Sequence, residues 1–578
     1  MFASLLIANR GEIALRVART ARRMGLRTIA VYSDADRDAP HVRACDEALH
    51  IGGAAPRESY LNIDAILKAE GEAVHPGYGF LSEDAEFAER VQKASRVWVG
   101  PPPAAMRALG DKANAKKLAA GAGVPVLPTY EGKPEFPLVI KAVAGGGGRG
   151  MRLVRSAKEL DSALASARSE AEHAFGDGRL LLEKAILAPR HVEVQVFADI
   201  HGNCIHLGER DCSVQRRHQK LIEESPSPAV DAKLRAKLGA AAVAVARAAG
   251  HVGAGTVEFL LDEKGGFWFI EANARLQVEH PVTELLTGLD LVEWQLRIAT
   301  GEPLPLRQED IRFDGHALEA RLCAEDPAQH FLPQSGRLAL WRPATGVRVD
   351  HALESGIEIP PHYDSLLAKL VAHGRTRDEA REKLAAALDA TLALGVTTNK
   401  SFLAAVVRDP QFSTCGATTS LISERFAGWQ SPKLDEVLAR GLYASACAAA
   451  AGYGEWAGWS NMGRTELPSA PWVLEERALH FALDGHSYTW RDTIMDPPAR
   501  ATAGLADGKL AAPMNARVVA VHAKTGDRIE AGGALLVLEA MKMEHTLAAP
   551  AALRVKAVHV TQGAQVAPGH LLMEFEPA

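Results

Sequence analysis

Six polar residues between positions 258 and 279 form a set suited to a metal–phosphate complex. Glu258 and Glu271 lie on two apolar runs, 256–261 and 267–271, that read as neighbouring strands joined by a Gly-containing turn. If they face one side, with Asn273 two residues further on, they supply hard oxygen donors. Such donors suit a partly hydrated Mg²⁺ that bridges nucleotide phosphates. Arg275, Gln277 and Glu279 then alternate, which predicts an extended segment with all three pointing one way. An arginine that holds an anion beside a carboxylate acting as base implies phosphoryl chemistry on a small oxyanion.

A second set sits in "FPLVIKAVAGGGGRGMRLV" (136–154), which reads as strand, glycine loop and strand. The glycines at 145–148, among them Gly147 and Gly148, permit a backbone that folds closely over phosphates. No Gly-Lys-Ser/Thr follows and no helix opens, so this is not a Walker loop. A flexible hairpin is the alternative for a glycine cluster taken alone. Lys141, just before it, places a fixed cation for phosphate oxygens.

The third candidate is a lysine. Residues 511–539 and 548–576 align without a gap, with 12 of 29 positions identical. Each copy alternates apolar residues in short runs punctuated by glycine, the pattern of antiparallel strands. Two such units related by a pseudo-twofold make a flattened barrel. Only "AMKMEHTL" remains between them, so it forms the connecting hairpin with Lys542 at its tip. Met541 and Met543 flank that lysine and point to a recognition surface rather than a solubilising charge.

These sites need several domains to position them, and 578 residues suffice for three to five. A net charge of −6 lacks the basic excess of a nucleic-acid platform. Six cysteines form no CxxC pair, which disfavours disulfides and structural zinc. The opening "MFASLLIANRGEIALRV" reads directly as strand and helix, leaving no targeting peptide, and no apolar run has membrane-spanning length. The expectation is a bacterial cytoplasmic enzyme with no nucleic-acid or membrane partner.

"EAMKMEH" inside its repeat resembles the biotinyl domain of biotin-dependent carboxylases. The first 440 residues resemble biotin carboxylase, an ATP-grasp enzyme. The resemblance rests on "ANRGEIA" (8–14), "HPGYGFLSE" (75–83), "GDK" (110–112), "PRHVEVQVFAD" (189–199), "ERDCSVQRRHQKLIEESPSP" (209–228) and "RLCAEDP" (321–327). The family is that of acyl-CoA carboxylase α subunits, of the methylcrotonyl-CoA or geranyl-CoA type. Propionyl- or acetyl-CoA carboxylase, or another ATP-grasp ligase, is the alternative.

The resemblance implies an α/β chain with a Rossmann-like pre-ATP-grasp domain (1–110), an ATP-grasp domain with lid (111–310) and a carboxylase C-terminal domain (311–445). A mainly β linking region (446–500), a tether (501–509) and an all-β biotinyl domain (510–577) follow. It also implies that ATP phosphorylates bicarbonate to carboxyphosphate, which delivers CO₂ to biotin on Lys542. Lys112 and Lys141 would then touch ATP phosphates, and Gly147 and Gly148 would form the lid. Glu183, Lys184 and Ile186 would meet adenine, with His191, Gln215 and His218 on the nucleotide. Mg²⁺ or Mn²⁺ would be held by Glu258, Glu271 and Asn273. Arg275, Gln277, the Val278 amide and Lys220 would bind bicarbonate, and Glu279 would deprotonate it.

The same resemblance implies a separate carboxyltransferase β subunit in a large hetero-oligomer, acyl-CoA bound through that partner, and transient contact with biotin protein ligase. Four tryptophans in 446–500 suit a docking surface, with an ordinary β core as the plainer reading. The segments "LKAEGEAVHP", "YEGKPEFPLVIK" and the linking region are short for the family. Leu340 stands between Arg337 and Arg342 where many members have an arginine near biotin.

Lys542→Arg keeps the charge but offers the biotin ligase a poor nucleophile. The variant is expected to lose streptavidin reactivity while bicarbonate-dependent ATP hydrolysis stimulated by free biotin survives. Loss of both in a steady-state assay would place Lys542 inside the carboxylase site and end the carrier reading.

Overall fold

The computed structural model describes residues 2–130, 132–143, 151–216, 218–451, 459–460, 463–464, 471–475, 477–492, 508–540, 543–567 and 569–577. Gly147, Gly148 and Lys542 lie outside the described residues. The apolar run at the N-terminus forms β1 (Ser4–Ile7), buried throughout, and leads into α1 (Gly11–Arg23). β2 (Arg27–Tyr32), β3 (Glu47–His50), β4 (Ala73–His75) and β5 (Val97–Trp98) complete a parallel sheet of order β3-β2-β1-β4-β5. Parallel strands with intervening helices give the Rossmann-like layer that the resemblance implies. The shortened stretch before "HPGYGF" keeps one turn of helix, Ile63–Ile66, and β4 still reaches its place between β1 and β5.

α2 (Lys112–Gly121) opens the ATP-grasp region, capped by the Asp111 side chain. β6 (Leu138–Ala142), β7 (Arg152–Val154) and β8 (Leu180–Lys184) form a small antiparallel sheet of order β7-β6-β8. α3 (Ala157–Phe175) covers it, with Leu160, Ala163 and Leu164 packed on Leu138, Ile140 and Val154. The two strands predicted on either side of the glycines are thus present, with Lys141 on β6; residues 144–150 are outside the described residues.

The site stands on a larger antiparallel sheet. Its strands are β9 (Arg190–Ala198), β10 (Cys204–Arg216), β11 (Gln219–Ser225), β12 (Gly253–Leu261), β13 (Phe267–Asn273), β14 (His316–Cys323), β15 (Arg348–His351) and β16 (Leu366–Gly374). Their order is β13-β12-β9-β10-β11-β14-β16-β15. The β11–β14 pairing, with Glu223 opposite Glu319, carries the sheet across the 310/311 division expected from the sequence. Pairing there leaves neither edge exposed.

α4 (His280–Thr287) lies under this sheet with most of its residues buried. Its Glu284 accepts from Arg16 of α1 at 2.6 Å and from Arg348 of β15 at 2.7 Å. Arg16 also reaches Asp290 at 2.8 Å. One short helix is thus clamped by cations from both flanking regions.

α5 (Glu436–Ala450) runs through the 445/446 boundary read from sequence, because its alanine-rich stretch has no breaker there. Leu442 and Ala446 pack on Leu479 and Phe481 of a three-stranded antiparallel sheet, Trp472–Glu475, Ala478–Leu483 and His486–Arg491. Trp472 and Trp490 are half-buried in that cluster, which favours the plainer reading for these two.

The C-terminal repeat folds as two four-stranded antiparallel sheets. One holds Lys509–Ala511, Leu571–Pro577, Leu553–Val558 and Arg528–Ile529; the other holds Met543–Ala548, Ala534–Ala540, Ala516–Val521 and Gln565–Val566. Each sheet mixes strands from both copies in the same sequence of roles, as the pseudo-twofold requires. Ala540 pairs with Met543, so only Met541 and Lys542 lie between those two strands in the chain. No helix among the described residues is long and apolar enough to cross a membrane.

The Arg16 clamp is testable. Its side chain is 4% exposed, so Arg16→Met leaves the Glu284 and Asp290 carboxylates short of a cation. Breaking such a buried pair costs about 3 kcal/mol, which urea unfolding is expected to register as a lower midpoint.

Candidate active site

β12 and β13 bring Glu258 and Glu271 directly opposite each other, with Asn273 opposite Thr256. The strand pair carries the predicted donors on adjacent positions. Glu258 Oε2 meets His191 Nε2 at 2.6 Å, and its Oε1 accepts from Asn273 Nδ2 at 2.7 Å and Gln277 Nε2 at 3.1 Å. Burial opposes the Glu258 charge, but Lys220 and His191 outweigh it and hold the carboxyl well below the usual range. Glu271 Oε2 lies 3.6 Å from Lys112 Nζ, at the start of α2.

The expected extended run through Arg275, Gln277 and Glu279 is not found. The chain bends at 274–275 and turns at 278–279, because Pro281 begins α4 and Glu279 becomes its N-cap position. Convergence survives by another route. Arg275 Nη1 donates to Gln277 Oε1 at 2.6 Å, and Gln277 Nε2 reaches Glu258. Glu279 sits beside the positive end of the helix, where a carboxylate is favoured.

Lys220, on β11, is the hub. Its Nζ donates to Glu193 at 2.5 Å, Glu279 Oε1 at 2.6 Å and Glu258 Oε1 at 3.3 Å. Burial disfavours the ammonium, yet Glu193, Glu258 and Glu279 hold it charged well above the ordinary lysine range. Glu279 Oε2 takes a second cation, Arg321 Nη2, at 2.8 Å. Burial would raise Glu279; Lys220, Arg321 and Arg210 overcome it and keep the group a carboxylate.

The remaining predicted residues lie around this centre. His191 Nδ1 is 3.3 Å from Gln215 Nε2, and Gln215 pairs with Lys220 across β10 and β11. His218 is exposed at the tip of that hairpin in the left-handed region, φ +66°. Lys141 Nζ lies 2.6 Å from Glu183 Oε2, while Lys116 Nζ binds the other oxygen. The Glu183 side chain therefore joins two lysines, leaving Lys184 exposed at the strand end and Ile186 half-buried beyond it. Arg337 pairs with Glu475 of the linking sheet, and Arg342 is exposed. Cys212 is fully buried, and burial together with Glu193 pushes its thiol far up, which rules out a resting nucleophile.

Family models match four stretches of the chain: "Biotin carboxylase, N-terminal domain" (1–106), "Carbamoyl-phosphate synthase L chain, ATP binding domain" (111–307), "Biotin carboxylase C-terminal domain" (319–424) and "Biotin-requiring enzyme" (508–575). The mouse mitochondrial methylcrotonoyl-CoA carboxylase subunit alpha is 40% identical over 94% of this chain and 89% of its own. The chain belongs to the biotin-dependent carboxylase α-subunit family.

Two more relatives fix the active half of this carboxylase. The Nostoc sp. biotin carboxylase is 48% identical over 73% of this chain and 99% of its own. The propionyl-CoA carboxylase alpha chain of Ruegeria pomeroyi is 46% identical over 78% and 72%. Against the rat methylcrotonoyl-CoA carboxylase subunit alpha, by contrast, the match spans 62% of that protein's length. The biotin carboxylase domain of the Hydrogenobacter thermophilus 2-oxoglutarate carboxylase, solved with MgADP, ADP and bicarbonate, superposes with a TM-score of 0.73. It is 43% identical and covers 75% of this chain and all of that one. The chain is therefore a ligase that carboxylates biotin.

Five residues that bond to the candidate site residues or their partners escaped the sequence reading: Lys116, Glu83, Glu193, Arg210 and Arg321. Lys116 had a signal, since it follows Lys112 by one helical turn. Glu83 Oε2 holds Arg275 Nε at 3.0 Å from 192 positions away. Arg210, wholly buried, donates to Glu193 at 2.5 Å.

Arg321 Nε also donates to Glu223 Oε1 at 2.6 Å, and burial pushes Glu223 up to about 7 despite that cation. A folded value above the ordinary one contributes stability at low pH and loses it as pH rises through the folded value. Glu223→Gln is therefore expected to flatten the fall in melting temperature across roughly pH 5 to 8. A variant that retains the wild-type slope in thermal melts would sink this assignment.

Proposed function

We propose that this chain is the ATP-dependent half of a two-component acyl-CoA carboxylase. It carboxylates biotin borne on Lys542, and a separate carboxyltransferase subunit passes the carboxyl group to 3-methylcrotonyl-CoA or geranyl-CoA. The observation that carries the reading is the convergence of Lys220, Arg321, Arg275 and Gln277 on Glu258 and Glu279. Propionyl-CoA is the second reading for the acceptor, supported by the likeness to the Ruegeria pomeroyi chain.

Lys112 and Lys141, with Lys116, take nucleotide phosphates, and the segment containing Gly147 and Gly148 closes over them. The hinge with Glu183, Lys184 and Ile186 meets adenine, with His191, Gln215 and His218 alongside the nucleotide. Glu258, Glu271 and Asn273 fit Mg²⁺ or Mn²⁺, because they present hard oxygens on paired strands with Lys112 and Lys220 close by. When bound, the ion would neutralise phosphate charge.

Bicarbonate sits against Arg275, Gln277, the Val278 amide and Lys220, with Glu279 as base. Glu279 is a fixed anion while Lys220 and Arg321 are shared only with neighbouring carboxylates. Incoming bicarbonate and triphosphate compete for those cations. Sharing them raises the proton affinity of Glu279 and turns a structural carboxylate into a base. Biotin protein ligase acts once on Lys542, and the carboxyltransferase joins this chain in a larger assembly.

The test uses the purified chain with ATP, bicarbonate and free biotin. Glu279→Gln is nearly isosteric and is expected to lose roughly two to four orders of magnitude in turnover while Lys542 stays biotinylated. Near-normal turnover in that variant refutes Glu279 as base. Acyl-CoA carboxylation by the highly purified single chain refutes the need for a partner.

A further inference from the structure

The turn that bears Glu279 is held from behind. Gln277 O accepts from His280 Nδ1 at 2.8 Å, and Val278 O accepts from Lys369 Nζ at 2.9 Å. Both anchoring side chains are fully buried. Lys369 is itself fixed by Glu12 Oε1 at 3.1 Å, and Glu12 also takes the Tyr78 hydroxyl. Facing His280 are Lys369 from β16, Arg16 from α1, Arg348 from β15 and, 3.8 Å away on its own helix, Glu284. Burial, with those three cations behind it, keeps the imidazole neutral. A carbonyl can only accept, so the proton is on Nδ1.

A trans peptide points its N–H opposite its C=O. Fixing Gln277 O therefore fixes the direction of Val278 N–H, and fixing Val278 O fixes that of Glu279 N–H. Neither N–H has an acceptor among the described residues, although both partner carbonyls are satisfied. Two adjacent free donors beside Arg275 and Lys220 are an arrangement for an oxyanion.

We infer that His280 is a positioning residue for bicarbonate: through the Gln277 carbonyl it aims the Val278 amide at the anion. It touches no reacting atom. The inference rests on the bicarbonate reading of this turn, and the two fail separately.

The comparison is between His280→Asn and His280→Gln in the full biotinylated chain. Asparagine places an N–H donor near the Nδ1 position; glutamine keeps bulk and polarity but places its donor near Nε2. The bicarbonate KM is expected to rise about tenfold in His280→Gln, as loss of one hydrogen-bond constraint implies, and to stay near wild type in His280→Asn. The ATP KM is expected to hold in both. Arg275→Ala is measured alongside. If Arg275→Ala raises the bicarbonate KM and the two His280 variants do not differ, His280 does not position the amide. If Arg275→Ala leaves the bicarbonate KM unchanged, the anion binds elsewhere and the reading beneath the inference is wrong, and with it the inference. A parallel rise in ATP KM in His280→Gln marks general loosening of the site and also overturns it.

Discussion

One buried ammonium holds the candidate site together. Lys220 contacts Glu193, Glu258 and Glu279, which come from three separate elements. Three carboxylates that close would repel by several kcal/mol in a low-dielectric interior and would protonate or part. Their resting charge, the register of β11 beside β10 and the seat of α4 all depend on this cation. Arg210 and Arg321 take the outer oxygens of Glu193 and Glu279, so the cluster nears neutrality before any substrate arrives.

That balance forms where three regions meet. α4 presents Glu279 at its first turn, yet its far end is clamped by Arg16 and Arg348 from either side. Helix, strand and hairpin alone would leave the turn at 277–279 free to pivot. A shift of a single ångström would break contacts that are each under 3 Å. The N-terminal and C-terminal regions thus fix the angle of the helix that follows Glu279.

Much of this was legible in the sequence where the signal was local. The two-copy repeat appeared as alternating apolar runs, and the strands carrying Glu258 and Glu271 stand where the pattern placed them. The run from Arg275 to Glu279 misled, because polar alternation over five residues mimics a strand while Pro281 dictates a helix start. The partners of the candidate groups were not legible at all. Arg321 lies 42 positions from Glu279, and Glu83 lies 192 from Arg275. No periodicity links such residues; only the closed sheet, with β11 against β14, brings them together. The α5 boundary failed for a related reason: whether an alanine-rich helix ends or continues is decided by what packs on it.

The carrier shows a different economy. Its twofold relates Ala534–Ala540 to Leu571–Pro577, and Met543–Ala548 to the strand beginning at Lys509. The pairing that in one sheet joins through Met541 and Lys542 is, in the other, the pairing of the domain's first and last strands. A symmetric fold can offer this hairpin only once, since its counterpart is where the chain enters and leaves. The link from Ala540 to Met543 and the covalent link to the rest of the chain therefore belong to different sheets. A domain anchored through one sheet leaves the Ala540–Met543 end of the other sheet clear of its own tether.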